Sequence, residues 1–486
     1  MDPAALDALP LFAPASDLVP EVRLTETWDG GYQGSVTVTN HGDGAAEGWT
    51  LTLFLPEGWT VTDSTGVRVV EVGAGLRAEP SAPWARRIPA GASVTFGLTV
   101  THGLASVPGP PQPPPSVAPD VGAAPVSMPA PVAGAAAGAF TPRWMGFNIG
   151  SWWRDSFGSA DAVQSLSNLA ATGANVVAIV PTRYVADLTA SDIFETHQSE
   201  PDANVVAMMR VARDLGLAVV LKPHVDPVDF ALRHRLRPAD PDRFFAQYQA
   251  MMVHYARMAQ AENADLFVVG TELVDLTAPR HEAAWRALIA AVRAVYDGPL
   301  TYAANYGEEM RVPFWDALDY IGVDMYAPLM TEADPTVEQV VAAWLEPPRH
   351  DFTADLYDGQ PLVEAMARLS ARHERPILFT EIGFRSIDGA GTGEAMTHPD
   401  SGPVDTAEQA VFYEGFAQAM RAAGAGWLAG VLFWDWSVQP AVPGRPVPDA
   451  HGFSVAGKPA ATVFRDRLAP LARSSPPEPG DGEGRP

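Results

Sequence analysis

At 486 residues the chain is too long for one ordinary core, so two or three domains are expected. Its 47% hydrophobic content describes a globular protein, and a formal charge of −26 disfavours nucleic acid and anionic membranes as partners. Cysteine is absent, which excludes disulfides, thiolate catalysis and Cys-based zinc sites. No apolar run reaches the roughly 18–20 residues that a bilayer span requires. The opening MDPAALDALPLF lacks the basic and long apolar regions of a signal peptide. Secretion is still the expected location on functional grounds, by a removed signal or another route, with the cytoplasm as the alternative.

In chain order, residues 20–102 read as an all-β sandwich domain. Short alternating runs recur, SVTVTN (35–40), WTLTLFL (49–55) and ASVTFGLTV (92–100), separated by turn clusters such as HGDG and IPAGA. Residues 103–141 change character to PGPPQPPP followed by Pro, Ala, Gly and Val. Such a stretch cannot bury a core, and its prolines favour a semi-extended linker. Residues 473–486, ending SSPPEPGDGEGRP, have the composition of a disordered tail.

Residues 142–472 alternate strand and helix. The predicted strands are 145–149, 175–180, 217–223, 266–271, 300–304, 320–326, 376–381 and 430–436. Helical patterns lie between them, as in PDRFFAQYQAMMVHYARMAQ, where Phe244, Tyr248, Met251, Tyr255 and Met258 share one face. Eight strands alternating with helices predict a (β/α)8 TIM barrel of α/β class. An open doubly wound sheet competes, but no Gly-rich phosphate loop follows the first strand. The barrel is the preferred reading.

The candidate site follows from the barrel. Active sites of this fold sit at the C-terminal mouth of the strands. Glu272 ends the fourth predicted strand, LFVVGTE, and Glu381 ends the seventh, ILFTE. Two facing carboxylates are what glycosidic cleavage requires, one protonated for the leaving oxygen and one ionised to attack or to activate water. Either glutamate alone is more often solvated or ion-paired; the pair at strands four and seven is the sharper reading. Lys222, His224 and Asp226 alternate in KPHVD and share a face if strand geometry persists. A metal reading of His224 and Asp226 competes, yet lysine is a poor ligand and no second histidine pair has ligand spacing. Hydroxyl recognition is favoured for these three, with Arg183 of PTRY joining them and Asn305 as an addition after strand five. No cofactor or metal is expected. His197 and His254 read as surface or helix-packing residues, and Trp152 and Trp153 as cleft or loop aromatics.

VVGTEL (268–273), FTEIGF (379–384) and KPHVD (222–226) carry a resemblance to clan A of the glycoside hydrolases, and within it to family 113, typified by β-mannanases. The resemblance covers about residues 142–465. It implies that Glu272 is the general acid/base and Glu381 the nucleophile of a retaining reaction, with carboxyl groups about 5–5.5 Å apart. It implies further that Tyr326 hydrogen-bonds the nucleophile and that Trp434 forms a platform under the sugar, with Trp436 a weaker candidate. Thr271 departs from the clan, which carries Asn before the acid/base to bind the sugar 2-hydroxyl; that recognition must be shared or handled differently here.

TWDGGYQGSVTVTN, GWTLTLFLP and IPAGASVTFG resemble carbohydrate-binding modules of family 2. The resemblance assigns Trp28 and Trp84 to the strip of tryptophans that binds polysaccharide and Trp49 to the core. The middle strip residue is missing, since VTDST (61–65) has no aromatic although Trp59 is near, and the family's terminal disulfide is absent. A domain kept as a spacer is the alternative. The expected whole is a monomeric, modular endo-β-1,4-mannanase with a polysaccharide partner and neither nucleic acid nor membrane. The rivals are a clan A enzyme on glucan, xylan or galactan and a non-catalytic carbohydrate-binding barrel.

Overall fold

The computed structural model describes residues 11–12, 18–28, 31–40, 42, 44–47, 49–55, 59–65, 67–72, 75–80, 87–88, 93–102, 140–151, 154–196, 198–228, 231–393, 403–440 and 449–472. The chain divides into two compact units, residues 1–127 and 128–486. Nearly all of the expected linker, the whole tail, Trp84, Trp152, Trp153 and His197 lie outside the described residues.

In the first unit two four-stranded antiparallel sheets face one another. One orders its strands as 11–12, 51–54, 75–80 and 67–72, and the other as 18–28, 31–40, 93–102 and 59–65. The alternation in SVTVTN is realised directly. Val36 and Val38 are buried, while Thr37 turns outward and its Oγ1 meets that of Thr95 at 2.9 Å across the strand pair. Leu51, Leu53, Val67 and Ala78 from one sheet join Val36, Val38, Leu98 and Val100 from the other in one cluster. Trp49 is buried among them. Trp28 closes the strand Leu18–Trp28, and Trp59 opens the strand Trp59–Thr65.

The second unit is a closed barrel of eight parallel strands: β1 (Trp144–Gly150), β2 (Val176–Val180), β3 (Ala218–Leu221), β4 (Leu266–Thr271), β5 (Leu300–Asn305), β6 (Ile321–Asp324), β7 (Ile377–Ile382) and β8 (Leu428–Phe433). Each pairs with the next, and β8 closes on β1. Strands buried on both faces explain the continuous apolar runs. Val176, Ala178, Val220, Leu266, Val268, Leu378 and Leu432 fill the lumen, and the alternate residues Val177, Ile179, Val219, Phe267 and Val269 face the helices. In the helix Pro241–Ala261 the fully buried methionine beside Tyr248 is Met252, with Met251 half-buried, as a 3.6-residue turn dictates. Gly270, two residues before Glu272, lets that helix layer close on β4. A Cβ there would lie 2.7 Å from the Trp285 ring and 3.0 Å from Tyr248 Oη.

Strands β3, β6 and β8 stop earlier than predicted, at Leu221, Asp324 and Phe433. Beyond β2 and β3 the chain builds a second, two-stranded parallel ladder, Thr182–Val185 with His224–Pro227. Among the described residues no helix is long and apolar enough to cross a membrane.

Candidate active site

Glu272 is the first residue past β4. Its backbone is left-handed, with φ at 53°, and its N–H donates to the Ala303 carbonyl of β5 at 2.8 Å. A non-glycine residue in this region carries strain that the surrounding contacts must offset. Glu381 lies inside β7, where the pairings to β6 and β8 both slip, Val323 facing Phe379 but Asp324 facing Glu381. Simple alternation would put Thr380 in the lumen and Glu381 outside it. The irregularity instead turns both inward, since Thr380 Oγ1 reaches Asp324 at 2.6 Å and Glu381 reaches Lys222.

Donors address both oxygens of Glu381. Lys222 Nζ donates to Oε1, and Tyr326 Oη donates to Oε2 at 2.7 Å. His224 Nε2 lies 3.7 Å from Oε1. Lys222 also stands 3.7 Å from Asp324, so one cation serves two buried acids. Burial, then the neighbouring Glu381, holds the Asp324 carboxyl well above its ordinary range. The Tyr326 hydroxyl is pushed up by burial and by Glu381, so it remains a donor.

A second cation sits on the Glu272 side. Arg233, from the 3-10 turn Arg233–Arg235, grips Asp226 with two hydrogen bonds of 2.7 and 3.2 Å. Its Nη1 is 3.3 Å from His224 Nε2 and 3.9 Å from Glu272 Oε2. His224 is held well below its usual range, first by burial and then by the Arg233 and Lys222 cations, so it is neutral. The Glu272 carboxyl is pushed up to about 7, chiefly by burial and then by the charge of Glu381, against the opposing pull of Arg233 and Lys222. Trp434, the first residue past β8, is half-buried; His224 stacks parallel to its ring at 5.9 Å, and Lys222 Nζ lies 5.8 Å from its centroid.

The structure therefore brings together Glu272, Glu381, Lys222, His224, Asp226, Tyr326 and Trp434. It corrects several roles. Lys222 and His224 have no exposed surface, so they serve Glu381 and Trp434 from behind and do not meet sugar hydroxyls. Arg183 turns away from the mouth to Glu195 at 2.9 Å and Asp202 at 3.4 Å, where Asp202 is shared with His254. Counting the alternation onward from lumen-facing Val176 and Ala178 puts Arg183 outside and Tyr184 inside, where it senses the charges of Asp226 and Arg233. Trp436 is a packing residue, its Nε1 donating to Ser165 O and Oγ at 3.0 Å. Asn305 ends β5, half-buried, and Thr271 is buried with no partner for its Oγ1 among the described residues.

Arg233 and Asp324 were not singled out from the sequence. Asp324 had a signal, since it shares the strand run YIGVDMY with Tyr326 at two-residue spacing. Replacing Lys222 by methionine tests its hold on the two acids. It leaves Glu381 and Asp324 buried without their common cation, and about 3 kcal/mol of barrel stability is expected to be lost in urea denaturation.

Fold and site together define a parallel (β/α)8 barrel protein with two glutamates at its C-terminal mouth. Residues 145–458 match the family model of Glycoside Hydrolase Family 113, and the chain belongs to that family. Residues 20–112 match the model of the cellulose binding domain. Among solved structures, the GH113 beta-mannanase AaManA from Alicyclobacillus acidocaldarius, in complex with ManMIm, is 28% identical with a TM-score of 0.57, over 69% of this chain and 100% of that one. A GH113 beta-1,4-mannanase is 26% identical with a TM-score of 0.56, over 67% and 98%. Endoglucanase A of Thermobispora bispora is 33% identical over 73 residues, so the match spans 15% of this chain and 16% of that relative's length.

Proposed function

We propose that the protein is a retaining endo-β-1,4-mannanase in which Glu381 attacks the anomeric carbon and Glu272 serves as acid, then base. One observation carries this reading. The two carboxyls sit in unlike surroundings, Glu381 taking hydrogen bonds from a lysine and a tyrosine, and Glu272 buried enough to hold its proton up to about pH 7. That difference divides the labour of acetal cleavage. In the first step a Glu381 oxygen bonds to the sugar while the Glu272 proton passes to the departing oxygen. In the second, Glu272 takes a proton from water, which displaces Glu381 with a second inversion. Trp434 supplies an apolar face for the pyranose ring. The mannan preference is supported by the two mannanase structures to which the barrel is similar. A binding module on the same chain favours endo action on a polymer, because tethering raises the local enzyme concentration.

The test is hydrolysis of mannan, xylan, β-glucan and galactan side by side, with product sizing. Release of short manno-oligosaccharides from mannan alone is the expected result, and preference for another glycan would replace the substrate. The N-terminal domain carries its own prediction. Trp28→Ala should lower retention on insoluble polysaccharide several-fold while leaving hydrolysis of soluble substrate unchanged; unaltered retention would favour the spacer role.

A further inference from the structure

Behind Glu272 lies a carboxylate that the reaction does not touch. Glu308, in the turn that follows β5, is 2% exposed and gathers three donors. Thr277 Oγ1 reaches its Oε1 at 2.7 Å, Tyr302 Oη reaches the same oxygen at 2.8 Å, and the Asn305 N–H reaches Oε2 at 2.8 Å. Tyr302 Oη in turn accepts the N–H of Leu273, the residue after Glu272, at 2.7 Å. Residues 273–277 form a closed turn, with Leu276 and Thr277 N–H both bonded to Leu273 O at 2.8 and 3.1 Å. Both ends of this turn are thus tied to a single buried side chain, and the left-handed residue Glu272 is its immediate neighbour.

We infer that Glu308, acting through Tyr302 and Thr277, is a positioning residue that fixes the strained backbone from which Glu272 presents its carboxyl. The inference rests on the reading of Glu272 as acid/base. A turn released at Leu273 lets Glu272 relax from its φ of 53°, and displacement of the order of 1 Å at a reacting group costs on the order of 10²-fold in rate. Charge adds a second effect. Glu272 faces Glu381 from β7, Lys222 and Arg233 from the segment after β3, Tyr306 and Glu308 from the segment after β5, and Asp324 at the end of β6 with Tyr326 just beyond it. The Glu308 carboxyl is itself pushed up to about 7 by burial, and in its ionised form it favours the protonated form of Glu272.

The experiment compares two substrates of the full-length protein, a manno-oligosaccharide and a dinitrophenyl β-mannobioside whose leaving group departs without a proton. For Glu308→Gln, kcat/KM on the oligosaccharide should fall by roughly 10–100-fold, with near wild-type kcat/KM on the aryl glycoside. The alkaline limb of the oligosaccharide profile should also move to lower pH. Tyr302→Phe keeps the carboxylate but cuts the link to Leu273, should show the same substrate split, and decides the matter if Glu308→Gln does not fold. Equal losses on both substrates, or no loss on either, would overturn the positioning role. Glu272→Ala is the control: if it lacks the split, the acid/base reading fails, and if it shows the split while the Glu308 and Tyr302 variants do not, only the positioning role fails.

Discussion

Glu381→Ala is expected to lose turnover of polysaccharide by on the order of 10⁴-fold or more, because on the proposed mechanism it removes the group that bonds to the anomeric carbon. Among the described residues, two neighbouring acids are already engaged. Asp324 has no exposed surface and is engaged by Thr380, and Asp226 is gripped by Arg233. The vacated site keeps the Lys222 cation beside the Tyr326 hydroxyl and the neutral His224, a recess that suits a small anion. Added azide should therefore restore part of the rate on an activated aryl mannoside and yield a glycosyl azide of inverted configuration. A variant with wild-type turnover would remove Glu381 from the mechanism.

Glu272→Ala should behave differently. Loss of proton donation costs about 10²–10⁴-fold on natural glycosides, and much less on substrates whose leaving group needs no proton. Azide should here give a product of retained configuration, since it attacks the glycosyl enzyme in place of activated water. The pH dependence follows from the raised Glu272 carboxyl. In the proposed first step its acid form is the active one, so kcat/KM should fall tenfold per pH unit above about pH 7. A carboxyl with an ordinary value would instead lose activity above pH 4–5 or so. A pH profile on manno-oligosaccharide in wild type and in Glu272→Gln measures this directly; a limb unchanged by the substitution would assign it to another group.

The barrel and the ends of β4 and β7 were legible in the sequence because strands buried on both faces write themselves as long apolar runs, and the carboxylates interrupt those runs. Lys222, His224 and Asp226 were legible as a face because the alternation set by Val220 continues through the ladder His224–Pro227. The same count correctly applied would have excluded Arg183. Roles were harder to read than positions. Lys222 looks like a hydroxyl-binding residue until β7 slips by one position and delivers Glu381 onto it, and such a slip leaves no trace in residue types. Arg233 sits in RHRLR, where nothing periodic distinguishes three arginines; its place depends on Asp226, seven residues away in sequence, and on Glu272 from β4.

The small ladder above β2 and β3 has an evolutionary consequence. It carries its own hydrogen bonds, so Asp226 and the arginine it holds stand on a mezzanine that the eight staves below do not need for closure. Exchanges at Asp226 in that upper storey can reshape which sugars are admitted while Lys222 and Tyr326, which lie outside it, keep their hold on Glu381. Diversification of glycan preference in such enzymes can begin there without endangering the fold.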